Sequence, residues 1–125
     1  MKKIIKAPDA PKPAGPYSQA VQAGKLLFVS GQLAIQPKDN KILVGDVRQQ
    51  TRQVMENIKV ILQAAGYSLS DVVQSNVYLT SMMLFSDFNA EYAKYFDKEP
   101  PARVTKAVEL MPNALVEIAV VAYKE

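Results

Sequence analysis

Residues Leu115 to Tyr123, LVEIAVVAY, are apolar at odd and even positions alike, interrupted only by Glu117. Successive side chains of a strand point to opposite faces, so such a segment needs cover on both sides. Leu26–Val29 (LLFV) has the same character and predicts a second central strand, joined to Ala20–Ala23 through the two-residue turn Gly24-Lys25. Ala102 to Leu110 also reads as strand, with Val104, Thr105, Val108 and Leu110. Between it and Leu115–Tyr123 stands Met111-Pro112-Asn113-Ala114, where Pro112 cannot donate to a ladder and Asn113 tolerates turn geometry. The spacing predicts a hairpin of the two strands. Arg103 and Glu117 then sit on or near a sheet that is otherwise apolar, and such charges are rarely buried unless paired or put to use. They form the candidate site; the alternative on the residues alone is a structural ion pair across the hairpin.

The rest of the chain supplies two helices. Asp46 is an N-cap with Gln49 completing a capping box, Val47, Val54, Ile58, Ile61, Leu62 and Ala65 share one stripe, and Gly66 marks the stop. Arg48, Arg52, Glu56 and Lys59 fall on the outer face, as suits a solvated helix surface. A second helix is predicted over Ser86–Phe96, with Phe88, Tyr92, Tyr95 and Phe96 as core. Asp71–Leu79 reads as strand, interrupted by Ser75 and Asn76, and Lys3-Ile4-Ile5 as a short edge strand. Residues Pro8 to Pro16 hold four of the eight prolines and predict a stiff extended arm, either laid over the domain or delivering Tyr17 to a pocket. Ser30-Gly31-Gln32 is a small-residue break at a strand's end, where glycine permits close approach of backbone or ligand. Pro37–Lys41 is a surface turn.

The order β-β-β-α-β-α-β-β is that of one mixed six-stranded α/β (α+β) sheet, with right-handed crossovers placing both helices on one face. Two helices cannot cover both faces of strands that are apolar on both. The other face therefore needs a second copy of the chain, and a closed homo-oligomer is expected.

With no cysteine and no histidine, thiolate nucleophiles, Ser-His dyads and the usual zinc sites are excluded. Chemistry falls to Arg, Glu, Asp, Lys, Tyr, Ser, Thr, backbone groups or water. The apolar fraction of 49% and charged fraction of 22% fit one folded domain over residues 1–125. The net charge of +3 is mild, and apart from Lys2, Lys3 and Lys6 the cations are scattered among carboxylates. That is a poor footprint for nucleic acid. No apolar h-region follows Met1-Lys2-Lys3 and no run approaches the roughly 18 apolar residues of a spanning helix, so a cytoplasmic location is expected.

Phe28-Val29-Ser30-Gly31-Gln32, Gln50-Thr51-Arg52-Gln53-Val54, Ala64-Ala65-Gly66-Tyr67, Pro101-Ala102-Arg103 and Val116-Glu117-Ile118 resemble, in the same order, the RidA (YjgF-type) family of reactive-intermediate deaminases. Gly15-Pro16-Tyr17-Ser18 is similar to that family's N-terminal signature. The resemblance implies a chorismate-mutase-like subunit, a homotrimer with pockets between subunits, and hydrolysis of imines and enamines such as 2-aminoacrylate and 2-aminocrotonate to 2-keto acids and ammonia. It implies no metal and no organic cofactor. Carried over by motif, Arg103 binds the substrate carboxylate, Tyr17, Ser30, Gly31 and Thr105 line the pocket, and Glu117 handles the proton or the water. The chain departs from the family at Thr105, where cysteine is frequent, at Ala119, where many relatives have a second glutamate, and at Lys106, where apolar residues are common. The loop Pro112–Glu117 is one residue shorter than usual. Alternative functions are an endoribonuclease, as some relatives are described, and a non-catalytic ligand-binding, regulatory or chaperone-like oligomer.

Overall fold

The computed structural model describes the whole chain, Met1–Glu125. Strands β1 (Lys2–Ile5), β2 (Ala20–Ala23) and β3 (Leu26–Gln32) form an antiparallel meander. Gly24 turns β2 into β3 with φ 61°, the positive value that a tight hairpin needs at its first central residue. A small ribbon follows, β4 (Ile35–Gln36) against β5 (Lys41–Ile42), with Asn40 at φ 58° in its turn. The sequence shows only the turn of this ribbon, because two-residue strands carry no periodicity.

Helix α1 (Val47–Ala64) begins as its capping box dictates. The Asp46 carboxylate accepts the Gln49 N–H at 2.8 Å, and the Gln49 side chain accepts the Asp46 N–H at 3.0 Å. It ends in a Schellman closure: Gly66 at φ 82° donates to the Gln63 carbonyl, and Tyr67 donates to that of Leu62. Strand β6 (Val72–Leu79) leads to α2 (Phe85–Tyr92), shorter than the Ser86–Phe96 expected. After Tyr92 the ladder tightens, with Lys94 and Tyr95 bonding three residues back, and the helix closes in turns. Phe96 still stacks on Tyr92 at 4.9 Å, and Tyr92 on Phe88 at 5.1 Å. The aromatic stripe is core, with Tyr95 half-buried and its hydroxyl donating to Glu56.

The last two strands correct the expected hairpin. β7 (Ala102–Ala107) runs parallel to β6, whereas β8 (Val116–Tyr123) is inserted antiparallel between β3 and β6. The sheet order is β1-β2-β3-β8-β6-β7. Residues 108–115 therefore cross the end of β6, and β7 ends at Ala107 rather than Leu110. A strand apolar on both faces gains most from the middle of the sheet, and β8 takes that place. β7 is left at the edge.

Both helices pack on one face, over Leu27, Val29, Val77, Leu79, Val116, Ile118 and Val120. The opposite face is open. Across it runs a register row, Ile4–Val21–Phe28–Val121, in which Ile4 and Phe28 are exposed. Leu26, Val104 and Tyr123 are exposed as well. No helix is long and apolar enough to cross a membrane.

Candidate functional site

The register of β3 against β8 slips between Val29 and Gln32: Val29 faces Val120, while Gln32 faces Ile118. The three steps on β3 against two on β8 define a β-bulge at Ser30-Gly31, a feature that re-aims side chains beside many active sites. The missing side chain of Gly31 leaves room for the Glu117 carboxylate, which lies where a Cβ on Gly31 would stand. Glycine here leaves room for the Glu117 side chain, and its backbone angle is not the reason for it.

Glu117, Ser30, Gly31, Tyr17 and Leu33 line an open depression of about 370 Å³. Glu117 is half-buried and joins none of the three ion pairs, which all link α1 and α2 side chains or neighbours on α2's C-terminal side. Burial raises its carboxyl above the ordinary carboxylate value. The Ser30 hydroxyl donates to the Ser18 carbonyl at 2.6 Å, so its proton secures the loop while its oxygen can still accept. Tyr17 is half-exposed, its hydroxyl accepting the Ala14 N–H. The proline arm does both things the sequence allowed: Ala10 and Pro11 are buried against the domain, and the arm leads on to place Tyr17 at the depression.

Arg103 and Thr105 are elsewhere. In the parallel register they stand opposite Ser75 and Val77, whose side chains are wholly buried on the helix face. Glu117 stands opposite Tyr78, on the open face. Arg103 and Glu117 are thus two strands apart and on opposite sides of the sheet, and the alternative of an ion pair across a hairpin is contradicted. The Arg103 guanidinium carbon lies over three rings of α2 instead, 5.0 Å from Tyr92 and 5.5 Å from both Phe85 and Phe88. Within one chain the six candidate residues fall into two separate groups, Tyr17-Ser30-Gly31-Glu117 and Arg103-Thr105. No group of three or more Asp, Glu, His or Cys side chains comes together to hold a metal.

Residues 7–124 match the family model described as Endoribonuclease L-PSP. The chain belongs to this family, that of the Rid or YjgF-type proteins. A RutC family protein of Pyrococcus horikoshii is 53% identical over the full length of both chains. The 2-iminobutanoate/2-iminopropanoate deaminase of Dermatophagoides farinae is 40% identical over 94% of this chain and 92% of its own. The crystal structure of Escherichia coli TdcF with bound serine superposes with a TM-score of 0.92 at 34% identity, over 98% of this chain and 99% of its own.

Three buried amides that support the candidate site escape a reading of the sequence. Gln50 on α1 is fully buried, donates to the Leu43 and Asn113 carbonyls and accepts the Leu115 N–H at 2.8 Å. It thereby fixes the entry into β8 two residues before Glu117. Gln19 accepts the Ala7 N–H and donates to the Ala7 and Pro11 carbonyls, pinning the proline arm. Asn57 donates to the Leu33 and Ile35 carbonyls, fixing the backbone beside the depression. The available signal was a polar residue inside an apolar stripe, as at Gln50 and Asn57, but a helix surface produces the same pattern.

Proposed function

We propose that this Rid protein hydrolyses 2-imino acids and their enamine tautomers to 2-keto acids and ammonia, at sites shared between neighbouring copies of the chain. The observation that carries this reading is Glu117: an unpaired carboxyl, raised by burial, seated on a glycine beside Tyr17 and Ser30. A carboxyl held nearer neutrality can both take and return a proton at working pH. Water adds to the imine carbon while Glu117 accepts its proton. The carbon–oxygen bond forms as the C=N π bond breaks and the nitrogen takes the proton, giving a carbinolamine. Glu117 then moves the hydroxyl proton to the nitrogen, and the carbon–nitrogen bond breaks as the carbonyl forms, releasing ammonia and the keto acid. An iminium carbon is already electrophilic, so no activated side-chain nucleophile is needed.

The substrate carboxylate requires a cation, and the Glu117 depression contains none among its lining residues. Arg103 is the unpaired guanidinium available, and its planar fork suits a carboxylate. Because it lies across the sheet from Glu117 in the same chain, a neighbouring copy must present it. The open apolar face supplies the surface for that association, and a ring of three is the assembly we propose. A phosphodiester substrate would need a track of cations, and one guanidinium does not make a track. That disfavours the ribonuclease reading.

The test is a coupled assay in which a threonine dehydratase generates the enamine and semicarbazide traps what survives. The wild-type protein should suppress semicarbazone formation in proportion to its concentration, and Arg103→Ala should not. An unchanged trapping rate with the wild type would overturn the deaminase reading.

A further inference from the structure

Arg103 is a charge held without a counter-charge. No ion pair includes it, yet it sits on the helix side of the sheet, opposite the buried Ser75. What surrounds it is aromatic. Phe85, Phe88 and Tyr92 follow the i, i+3, i+7 spacing of one helical stripe, and all three rings lie 5.0–5.5 Å from the guanidinium carbon. A cation within about 6 Å of a ring is attracted to its face. Ring faces stabilise the charge without occupying an N–H, whereas a carboxylate partner would fill the fork that the substrate needs.

Two hydroxyls complete the surroundings. Ser75 Oγ and Tyr92 Oη are buried and neither closes a hydrogen bond. Buried polar atoms without partners are uncommon and costly, and where they persist a reason is expected. Burial raises the Tyr92 phenol; the near approach of the Ser75 hydroxyl and of the Arg103 guanidinium, short of a closed hydrogen bond in this structure, and the Arg103 charge act against that rise. A guanidinium has five N–H donors, and a bidentate carboxylate takes two.

We propose that the α2 stripe Phe85-Phe88-Tyr92, with the Tyr92 and Ser75 hydroxyls, is the positioning device for Arg103: the rings fix the plane of the guanidinium, and the hydroxyls receive N–H groups that the substrate carboxylate does not use. The inference rests on the reading of Arg103 as carboxylate anchor. It makes Phe85, Phe88, Tyr92 and Ser75 positioning residues that act through Arg103.

The test uses the assembled protein, with 2-ketobutyrate as a stable carboxylate probe, its Kd read by calorimetry, and the Arg103 Nε–H proton followed by NMR, assigned by its absence in Arg103→Ala. Phe85 is half-buried, so Phe85→Leu is the variant of choice. It should weaken 2-ketobutyrate binding by about 3- to 30-fold, the range of one partly desolvated cation–π contact. The Arg103 Nε–H signal should move downfield by the share of the ring-current shift that Phe85 supplies, the Phe88 and Tyr92 rings remaining. Phe85→Trp keeps a face and should restore both. Tyr92→Phe keeps the volume and should weaken binding while leaving the ring-current shift in place. Wild-type affinity in both Phe85→Leu and Tyr92→Phe, with binding lost in Arg103→Ala, would overturn the positioning device and leave the anchor standing. Failure of tryptophan to rescue would also overturn it, by reducing Phe85 to ordinary packing. Wild-type affinity in Arg103→Ala would overturn the anchor reading and the device together.

Discussion

Glu117 and Gly31 are one unit, because the carboxylate lies where a methyl on Gly31 would be. Gly31→Ala should therefore displace Glu117 and lower imine hydrolysis by at least tenfold, without unfolding the protein, as steady-state rates and circular dichroism would show. Glu117→Gln removes the proposed proton carrier and should reduce the rate by about 10²–10⁴-fold. The same substitution has a consequence for stability. Burial raises the folded-state pKa of Glu117, so the folded protein holds the proton more tightly than the unfolded chain does. Stability from this group is full at pH below the unfolded value and is lost as pH rises through the folded one. Glu117→Gln should then melt higher than wild type at pH 8, with the difference vanishing near pH 4; equal melting temperatures at both values would contradict the assignment. Glu91 behaves in the opposite sense. Burial pushes its carboxyl up, but hydrogen bonds and charge from Arg52 and Lys94 outweigh it and the net shift is down. Its contribution is present above the unfolded carboxylate range and fades in acid. At this scale the sequence offers candidate residues but not how they are held: Ser30 reads as a ligand contact, while its proton is committed to the Ser18 carbonyl.

At the scale of elements, what local chemistry determines was legible, and what depends on distant partners was not. The Asp46 capping box and the Gly66 closure use bonds within three to five residues, and α1 begins and ends where they place it. Asp46→Ala should cost about 1 kcal/mol by denaturant unfolding. The β2–β3 hairpin follows in the same way from Gly24-Lys25. The partner of β8 is a different matter. An alternating or apolar pattern shows how many faces a strand buries, not which strand lies beside it, and the short interval between β7 and β8 suggested a hairpin. Strand β6 lies between them. That insertion decides the site: it sets Arg103 two strands from Glu117 and on the other face of the sheet. Gln50, fully buried and bonded on both sides of the β8 entry, is the element-scale support. Replacing it by leucine keeps the volume and leaves the Asn113 carbonyl and the Leu115 N–H without their side-chain partner. The expected result is a stability loss of about 1–3 kcal/mol.

At the scale of the whole molecule, the open sheet face is the feature to explain. The sequence indicated it through strands apolar on both sides in a chain with two helices, and the register row Ile4–Val21–Phe28–Val121 is where it lies. A charge in that row, as in Phe28→Glu, should reduce the assembly to monomers in sedimentation. Hydrolysis should be lost with it, although Phe28 lines neither half-site. The central claim is that Arg103 of one copy and Glu117 of another make each site, and subunit mixing tests it most directly. Arg103→Ala and Glu117→Gln should each be inactive alone. Co-expressed in equal amounts in a cyclic assembly, they should regain about one quarter of wild-type activity, since half of the neighbours supply an intact Arg103 and half an intact Glu117. Mixed oligomers that stay as inactive as either parent would contradict the shared site and return both residues to a single chain.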